Sequence, residues 1–224
     1  MKVPVILARY RLAAESGQSD SGLAPLVERA ITESDNAAAL ALFQGIEAAK
    51  GGVVPASRYV QTLLRQSGDK TTVVNTVQPA GGYSTFGQTQ WSLAQGTRFY
   101  RALASECLAP VAADREITHL MTQIEPSQRW GLGQAHFPGA ATVMFKGGWG
   151  PNAQGDYLVR QFGIVRSRGG RGFVVGLIDE PADGTFGSGV QILDDLSDAL
   201  ARSLDASAAP AFDGCAAVTA PVSP

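Results

Sequence analysis

The period of the hydrophobic pattern changes once along the chain, near residue 142, and this change restricts the fold more than any other feature. Before it, apolar residues recur at helical spacing, which predicts helices over 2–15, 20–30, 37–50, 55–66, 89–105 and 112–124. After it, β-branched and aromatic runs at 142–146, 157–167 and 172–179 predict strands, and helical spacing returns over 189–204. We therefore predict a mixed α/β (α+β) chain with a helical block at 1–138, an antiparallel sheet and closing helix at 139–205, and an Ala/Pro-rich tail at 206–224.

Composition excludes several classes of function. The chain of 224 residues has 18 basic and 20 acidic side chains and no basic run, so we expect no nucleic-acid partner. No apolar stretch approaches about 18 residues, so we expect no transmembrane segment. His119, His136, Cys107 and Cys215 do not stand at metal-ligand spacing, and we expect neither a metal nor another cofactor. The two cysteines either form one disulfide or are two separate thiols.

Three short strings carry the chemistry: Lys2 on the first predicted helix, Ser-Asp-Asn at 34–36 and Lys-Gly-Gly at 146–148. Taken singly, they are a chain terminus, a helix cap and a strand end. Their order and the 112 positions between Ser34 and Lys146 are more specific. Together they resemble the signatures of the penicillin-recognising serine hydrolases, the class A β-lactamases and D,D-peptidases, which are Ser-x-x-Lys, Ser-Asp-Asn and Lys-Thr-Gly. The resemblance covers about 1–205 and implies a β-lactamase/D,D-peptidase-like fold.

The resemblance also implies catalytic roles. Lys2 would be the general base for a serine hydroxyl, because a buried amine close to such a hydroxyl accepts its proton. Ser34 would relay a proton towards the leaving nitrogen. The backbone N–H of Trp149 would donate to the oxyanion. Asp35 is expected to cap the helix that follows it.

Substrate-binding roles follow from the same resemblance. Asn36 would hold a substrate amide through its carboxamide, and Lys146 would attract a substrate carboxylate. Gly147 and Gly148 belong to the same binding segment, where Gly148 allows backbone and substrate to approach closely. Trp130 and Trp149 either stack on a ligand or pack as core and rim residues, and the sequence leaves both open.

The sequence departs from the family pattern at three places. On the register of the first motif, the nucleophilic serine and the first two strands of the family precede Met1, so we expect the chain as given to escape acylation and the strand at 172–179 to keep an unpaired edge. Gly147 stands where Thr or Ser is usual. The polar segment 67–88 contains no Glu and only Asp69 as a carboxylate, which predicts slow deacylation. A second Ser-x-x-Lys match, at 67–70, follows Ser-Asp-Asn and is interpreted as a chance match.

We therefore predict a β-lactamase-related serine hydrolase that acts by acyl-enzyme chemistry on a β-lactam or a peptidoglycan-type amide in a longer gene product. It would be a monomer outside the cytoplasm, with a small-molecule partner. One alternative is a non-catalytic binding or scaffolding protein of the cell envelope on the same fold. Another is a decayed, poorly stable remnant that begins at Met1.

Overall fold

The computed structural model describes residues 1–77, 82–152 and 154–212, and these fall into two compact units. The first unit comprises Met1–Leu120 and is helical. The second unit comprises Met121–Phe212 and contains the sheet and the last helix. The mixed α/β class predicted from the change of hydrophobic period is confirmed.

The first unit is built around its first helix. Its six α-helices are α1 (Lys2–Glu15), α2 (Ala24–Thr32), α3 (Asn36–Lys50), α4 (Val53–Gln66), α5 (Leu93–Ala104) and α6 (Val111–Leu120). Helix α1 packs against α2, α3, α4 and α6. Because it has neighbours on several sides, its first two turns are apolar almost all round, and 5–8 are fully buried.

One helix boundary of the first unit agrees with the sequence-based prediction, and another differs from it. Asp35 caps α3, as predicted, and α3 ends at Gly51, whose φ of 87° is the left-handed conformation that glycine adopts readily. The helix predicted over 20–30 begins later than predicted. A turn in which the Leu23 N–H donates to the Asp20 carbonyl comes first, and the helix begins only at Ala24.

The second unit contains the antiparallel sheet β1 (Thr142–Pro151), β2 (Tyr157–Arg166) and β3 (Gly172–Asp179), in the order β1-β2-β3. Helix α7 (Phe186–Ser203) packs against β2, β3 and the 3₁₀ turn Gly131–Gly133. The prediction that Lys146 ends a strand is wrong, because β1 continues to Pro151 and stays paired with β2 throughout. Residues 146–148 therefore lie inside a regular strand.

The chain after α7 is partly attached to the second unit. Ala206 is fully buried and its N–H donates to the Pro138 carbonyl, while Ala211 pairs with Arg171. These contacts attach 206–212, the first part of the predicted tail, to the second unit, and 213–224 lie outside the described residues. Cys107 is disulfide-bonded, and Cys215, the other cysteine of the chain, also lies outside the described residues.

In the described parts of the chain, no single helix is long and apolar enough to cross a bilayer. Helices α3 and α4 pass the test of length and composition only as a pair, with a bend of 106° between them.

Candidate active site

The predicted site residues fall into two groups, one in each unit. In the first unit, α1 presents Lys2 to the turn that joins α2 to α3. The Lys2 Nζ donates to the Ser34 Oγ at 3.0 Å and also donates to the Ser34 carbonyl oxygen. The first motif and the second are therefore joined directly, through two hydrogen bonds from a single ammonium group.

The backbone fixes Ser34 in an unusual conformation. Its φ is 58°, which is uncommon for a residue other than glycine. The turn is held on both sides: the Arg29 carbonyl accepts from the Asp35 N–H at 3.1 Å, and the Asp35 carboxylate accepts from the Ala37 and Ala38 N–H groups at 2.7 and 3.1 Å. The cap on α3 thus orients the Ser34 side chain towards Lys2.

Burial changes the charge behaviour of Lys2. Desolvation lowers the pKa of Lys2 to about 8, although the nearby Asp35 carboxylate acts in the opposite direction. Hydrogen bonds from the start of α3, that of Ala38 first, hold the pKa of Asp35 below its usual range. At neutral pH roughly a tenth of Lys2 is then the free amine, which is the form that accepts a proton. Asn36, the first residue of α3, is exposed.

In the second unit, Lys146 is buried in the middle of β1, with 6% of its surface exposed, and its Nζ donates to the Gly147 carbonyl at 3.1 Å. Gly148 lies opposite Arg160 of β2. A Cβ at Gly148 would lie 3.6 Å from the Arg160 Nε, so two cationic side chains border this glycine segment. The sequence motifs did not indicate the positive charge of Arg160 next to Gly148.

Gly147 lies against the Trp130 ring. A Cβ there would lie 3.1 Å from two carbon atoms of that ring, tighter than ordinary van der Waals contact. A Thr or Ser side chain at this position would therefore require the Trp130 ring to shift by a few tenths of an ångström. The contact joins residues 17 positions apart, and sequence reasoning, which treated Gly147 only as a lost hydrogen bond, missed it.

Trp130 is part of an aromatic cluster formed by Trp130, Trp149, Tyr157 and Phe186. The Trp130 and Trp149 rings lie 6.0 Å apart and nearly edge to face, and Phe186 lies 6.1 Å from Trp130 and 5.6 Å from Trp149. Tyr157 contacts Phe186 at 5.9 Å. Trp130 is 7% exposed but Trp149 is 39% exposed, so the first is a packing residue and the second presents its ring to solvent.

Asp69, the single carboxylate of segment 67–88, is fully buried and already engaged. It accepts from the Trp91 Nε1 at 2.9 Å and from the Thr71 and Thr72 N–H groups at 3.2 and 3.0 Å, and Arg65 lies 3.7 Å away. These contacts fold the segment and leave the carboxylate out of contact with solvent. Asp69 is therefore a structural residue.

Two other sequence matches have local explanations. Ser67, in the second Ser-x-x-Lys match, donates its hydroxyl to the Leu64 carbonyl at 2.7 Å at the end of α4, while Lys70 is exposed. Across residues 1–77, 82–152 and 154–212, no group of three or more His, Cys, Asp or Glu side chains is placed to hold a metal ion.

Comparison with known proteins identifies the fold. Neither a protein-family model nor a curated protein matches the chain. Solved structures do match: the chromosome-encoded β-lactamase of Vibrio parahaemolyticus is 14% identical, with a TM-score of 0.68 over 91% of this chain and 83% of that one. Class A β-lactamases from Bacteroides cellulosilyticus and Mycobacterium abscessus are 15% and 16% identical, with TM-scores of 0.67 and 0.68 over 91% and 90% of this chain and 82% of each of theirs. The protein therefore has the fold of the class A β-lactamases.

Proposed function

We propose that the protein is a β-lactamase-related serine hydrolase that forms an acyl-enzyme with a β-lactam or a peptidoglycan-type amide. The observation that carries this proposal is the pair of hydrogen bonds between Lys2 and Ser34, on a fold shared with class A β-lactamases. In this fold class the first motif, Ser-x-x-Lys, places the nucleophile three residues before its lysine. For Lys2 that position lies upstream of Met1.

The proposed mechanism uses each residue for one task. The neutral Lys2 amine takes the proton of the serine hydroxyl as its oxygen attacks the carbonyl carbon of the substrate amide. Ser34, hydrogen-bonded to the same amine, passes a proton to the leaving nitrogen when the C–N bond breaks. The Trp149 N–H donates to the oxyanion, Asn36 binds the substrate amide, and 146–148 bind its carboxylate.

We propose that hydrolysis of the acyl-enzyme is slow. A class A β-lactamase uses a glutamate to activate the deacylating water. Segment 67–88 offers only Asp69, and its buried carboxylate is already hydrogen-bonded to Trp91 and to two backbone N–H groups. A long-lived adduct is the expected product.

The disulfide-bonded state of Cys107 supports a location outside the cytoplasm, because disulfides persist in oxidising compartments. We propose such a location, with a small-molecule substrate and a monomeric protein.

Intact-protein mass spectrometry with benzylpenicillin tests the function. A protein extended so that a Ser stands three residues before Lys2 should gain one stoichiometric adduct that persists for hours, whereas the chain beginning at Met1 should gain none. Lys2→Ala in the extended protein should slow adduct formation by about 10²-fold or more. The matched control is Lys70→Ala, which changes the exposed lysine of the second Ser-x-x-Lys match and should leave the rate unaltered. An extended protein that stays unmodified would contradict the proposal.

A second candidate function is reversible binding without catalysis, on the same fold. It is favoured by Gly147, which lacks the usual hydroxyl of the third motif and lies against the Trp130 ring. Reversible binding of a cell-wall fragment by an extended protein that is never acylated would favour this candidate over the hydrolase.

A further inference from the structure

Ser34 and Lys2 form a pair of side chains that can carry out a reaction of their own. We propose that Ser34 is itself a nucleophile, with Lys2 as its general base, and that the pair cleaves small esters whose leaving group is an acidic alcohol. This activity goes beyond the proposed hydrolase, in which Ser34 relays a proton and forms no covalent bond with the substrate. It does not rest on that function, because it needs no serine upstream of Met1.

The two side chains have the geometry of a nucleophile and its base. The Lys2 Nζ lies 3.0 Å from the Ser34 Oγ, within the range of about 2.6 to 3.2 Å over which a base takes a proton from a hydroxyl. When Lys2 is the free amine, the hydroxyl is the donor in this contact and the amine is the acceptor. Both residues are half-buried, so the hydroxyl is within reach of a small molecule.

The backbone at Ser34 would suit glycine better than serine. Ser34 directly follows Glu33, which ends α2, and its φ of 58° is the left-handed conformation that glycine usually adopts after a helix. A side chain at such a position strains the backbone, and strain of this kind is concentrated at active sites. The strained residue here is the one whose hydroxyl contacts the Lys2 amine.

The start of α3 places positive potential next to Ser34. This helix is 15 residues long, and the N-terminal end of a helix carries a partial positive charge. Asp35 accepts from the Ala37 and Ala38 N–H groups, but within the described residues the Asn36 N–H has no hydrogen-bond partner. That N–H can donate to the oxygen that becomes negative when Ser34 attacks a carbonyl group.

The proposed reaction balances with these two side chains and water. Lys2 takes the Ser34 proton as the Oγ attacks the carbonyl carbon, and the ammonium gives that proton to the leaving oxygen when the C–O bond breaks. Water then attacks the acyl carbon and gives a proton to Lys2, which returns it to the Ser34 oxygen as the acid leaves. An ester fits better than an amide, because the proton donor to nitrogen in the proposed hydrolase is Ser34 itself.

A fluorophosphonate tests the nucleophile directly. The Ser34 oxygen bonds to phosphorus, fluoride leaves, and the proton passes to Lys2. The chain of 224 residues should gain one phosphonyl group per molecule, and trypsin, which cleaves after Arg29 and Lys50, should place it at Ser34 in the peptide 30–50. The rate should rise with pH through a midpoint near 8 and then level off, because burial lowers the pKa of Lys2 to about 8.

Variants separate the pair from general effects. Ser34→Gly removes the hydroxyl and suits the left-handed backbone, so it should fold and gain no label in 30–50. Lys2→Ala should slow labelling by about 10²-fold, whereas Lys70→Ala, the matched control at an exposed lysine, should leave the rate unaltered. Near-ultraviolet circular dichroism should be the same for all three variants and the parent protein.

Two results would overturn the proposal: no label in 30–50, or a Lys2→Ala variant that is labelled as fast as the parent protein. Either result leaves the proposed hydrolase standing, because that function is tested by the benzylpenicillin adduct of the extended protein. Labelling of Ser34 in a protein whose extended form is never acylated would contradict only the proposed hydrolase.

Discussion

The buried position of Lys2 next to Ser34 predicts the pH at which the Lys2 amine titrates. Burial lowers the pKa of Lys2 to about 8, and the Asp35 carboxylate opposes that shift. The chain has four lysines, so the ¹³Cε signals of the side chains can be followed individually with pH. We expect one midpoint near 8, and Asp35→Asn should move it lower because a stabilising negative charge is removed. A Lys2 midpoint near the ordinary 10.5 would contradict the buried placement.

Asp114 predicts a pH dependence of stability. Burial raises the pKa of Asp114 to about 6, although its carboxylate accepts from the Leu108 N–H at 3.0 Å. A raised pKa means that the folded state prefers the protonated acid, so the contribution is fully present below about 4 and is lost as the pH rises through about 6.

Asp114→Asn keeps a neutral hydrogen-bond acceptor for the Leu108 N–H and removes the group whose ionisation depends on pH. In urea unfolding, the variant should match the parent protein near pH 4 and exceed it by up to about 3 kcal/mol above pH 7. A difference that stays constant across this range would show that ionisation of Asp114 is not its cause.

Single residues also show which contacts can be predicted from the sequence and which cannot. The cap formed by Asp35 was predictable, because it depends on a contact over three positions. The contact between Gly147 and the Trp130 ring was not predictable, because Trp130 comes from a turn outside the strand. The lowered pKa of Lys2 depends on burial by several helices, which no local pattern encodes.

At the scale of the element, Gly51 and Gly187 allow the effect of backbone conformation on the free energy of unfolding to be measured separately from steric crowding. A Cβ would meet no atom within 4 Å at either Gly51 or Gly187, but only Gly51 has a positive φ, of 87°. Gly51→Ala should lower the free energy of unfolding by about 1 kcal/mol, because it forces alanine into the left-handed region at the end of α3. Gly187→Ala in the first turn of α7 should raise it by up to about 1 kcal/mol. Urea unfolding measures both, and equal effects of the two variants would contradict the assigned backbone conformations.

Element types were easier to predict than element ends. Within the described residues, the apolar periods predicted the seven α-helices and three strands, since those periods reflect which faces are buried. The extension of β1 to Pro151 was missed because glycine has low strand propensity, and the pairing with β2 outweighs that propensity. The late start of α2 was missed because two turn types compete for the same polar residues.

At the scale of the whole molecule, the order of three short motifs predicted the fold although identity to the solved class A β-lactamases compared above is 14% to 16%. Each motif is weak alone, and a direct hydrogen bond joins Lys2 of the first to Ser34 of the second. The central claim is therefore the proposed one, that the turn carrying Ser34 and Asn36 beside Lys2 binds the substrate amide.

The most direct measurement of that claim is a backbone ¹H–¹⁵N titration of the chain with benzylpenicillin. We expect the amide signals of Ser34 and Asn36 to shift saturably and to fit one Kd. Signals of Ser34 and Asn36 that do not move with ligand would contradict the claim.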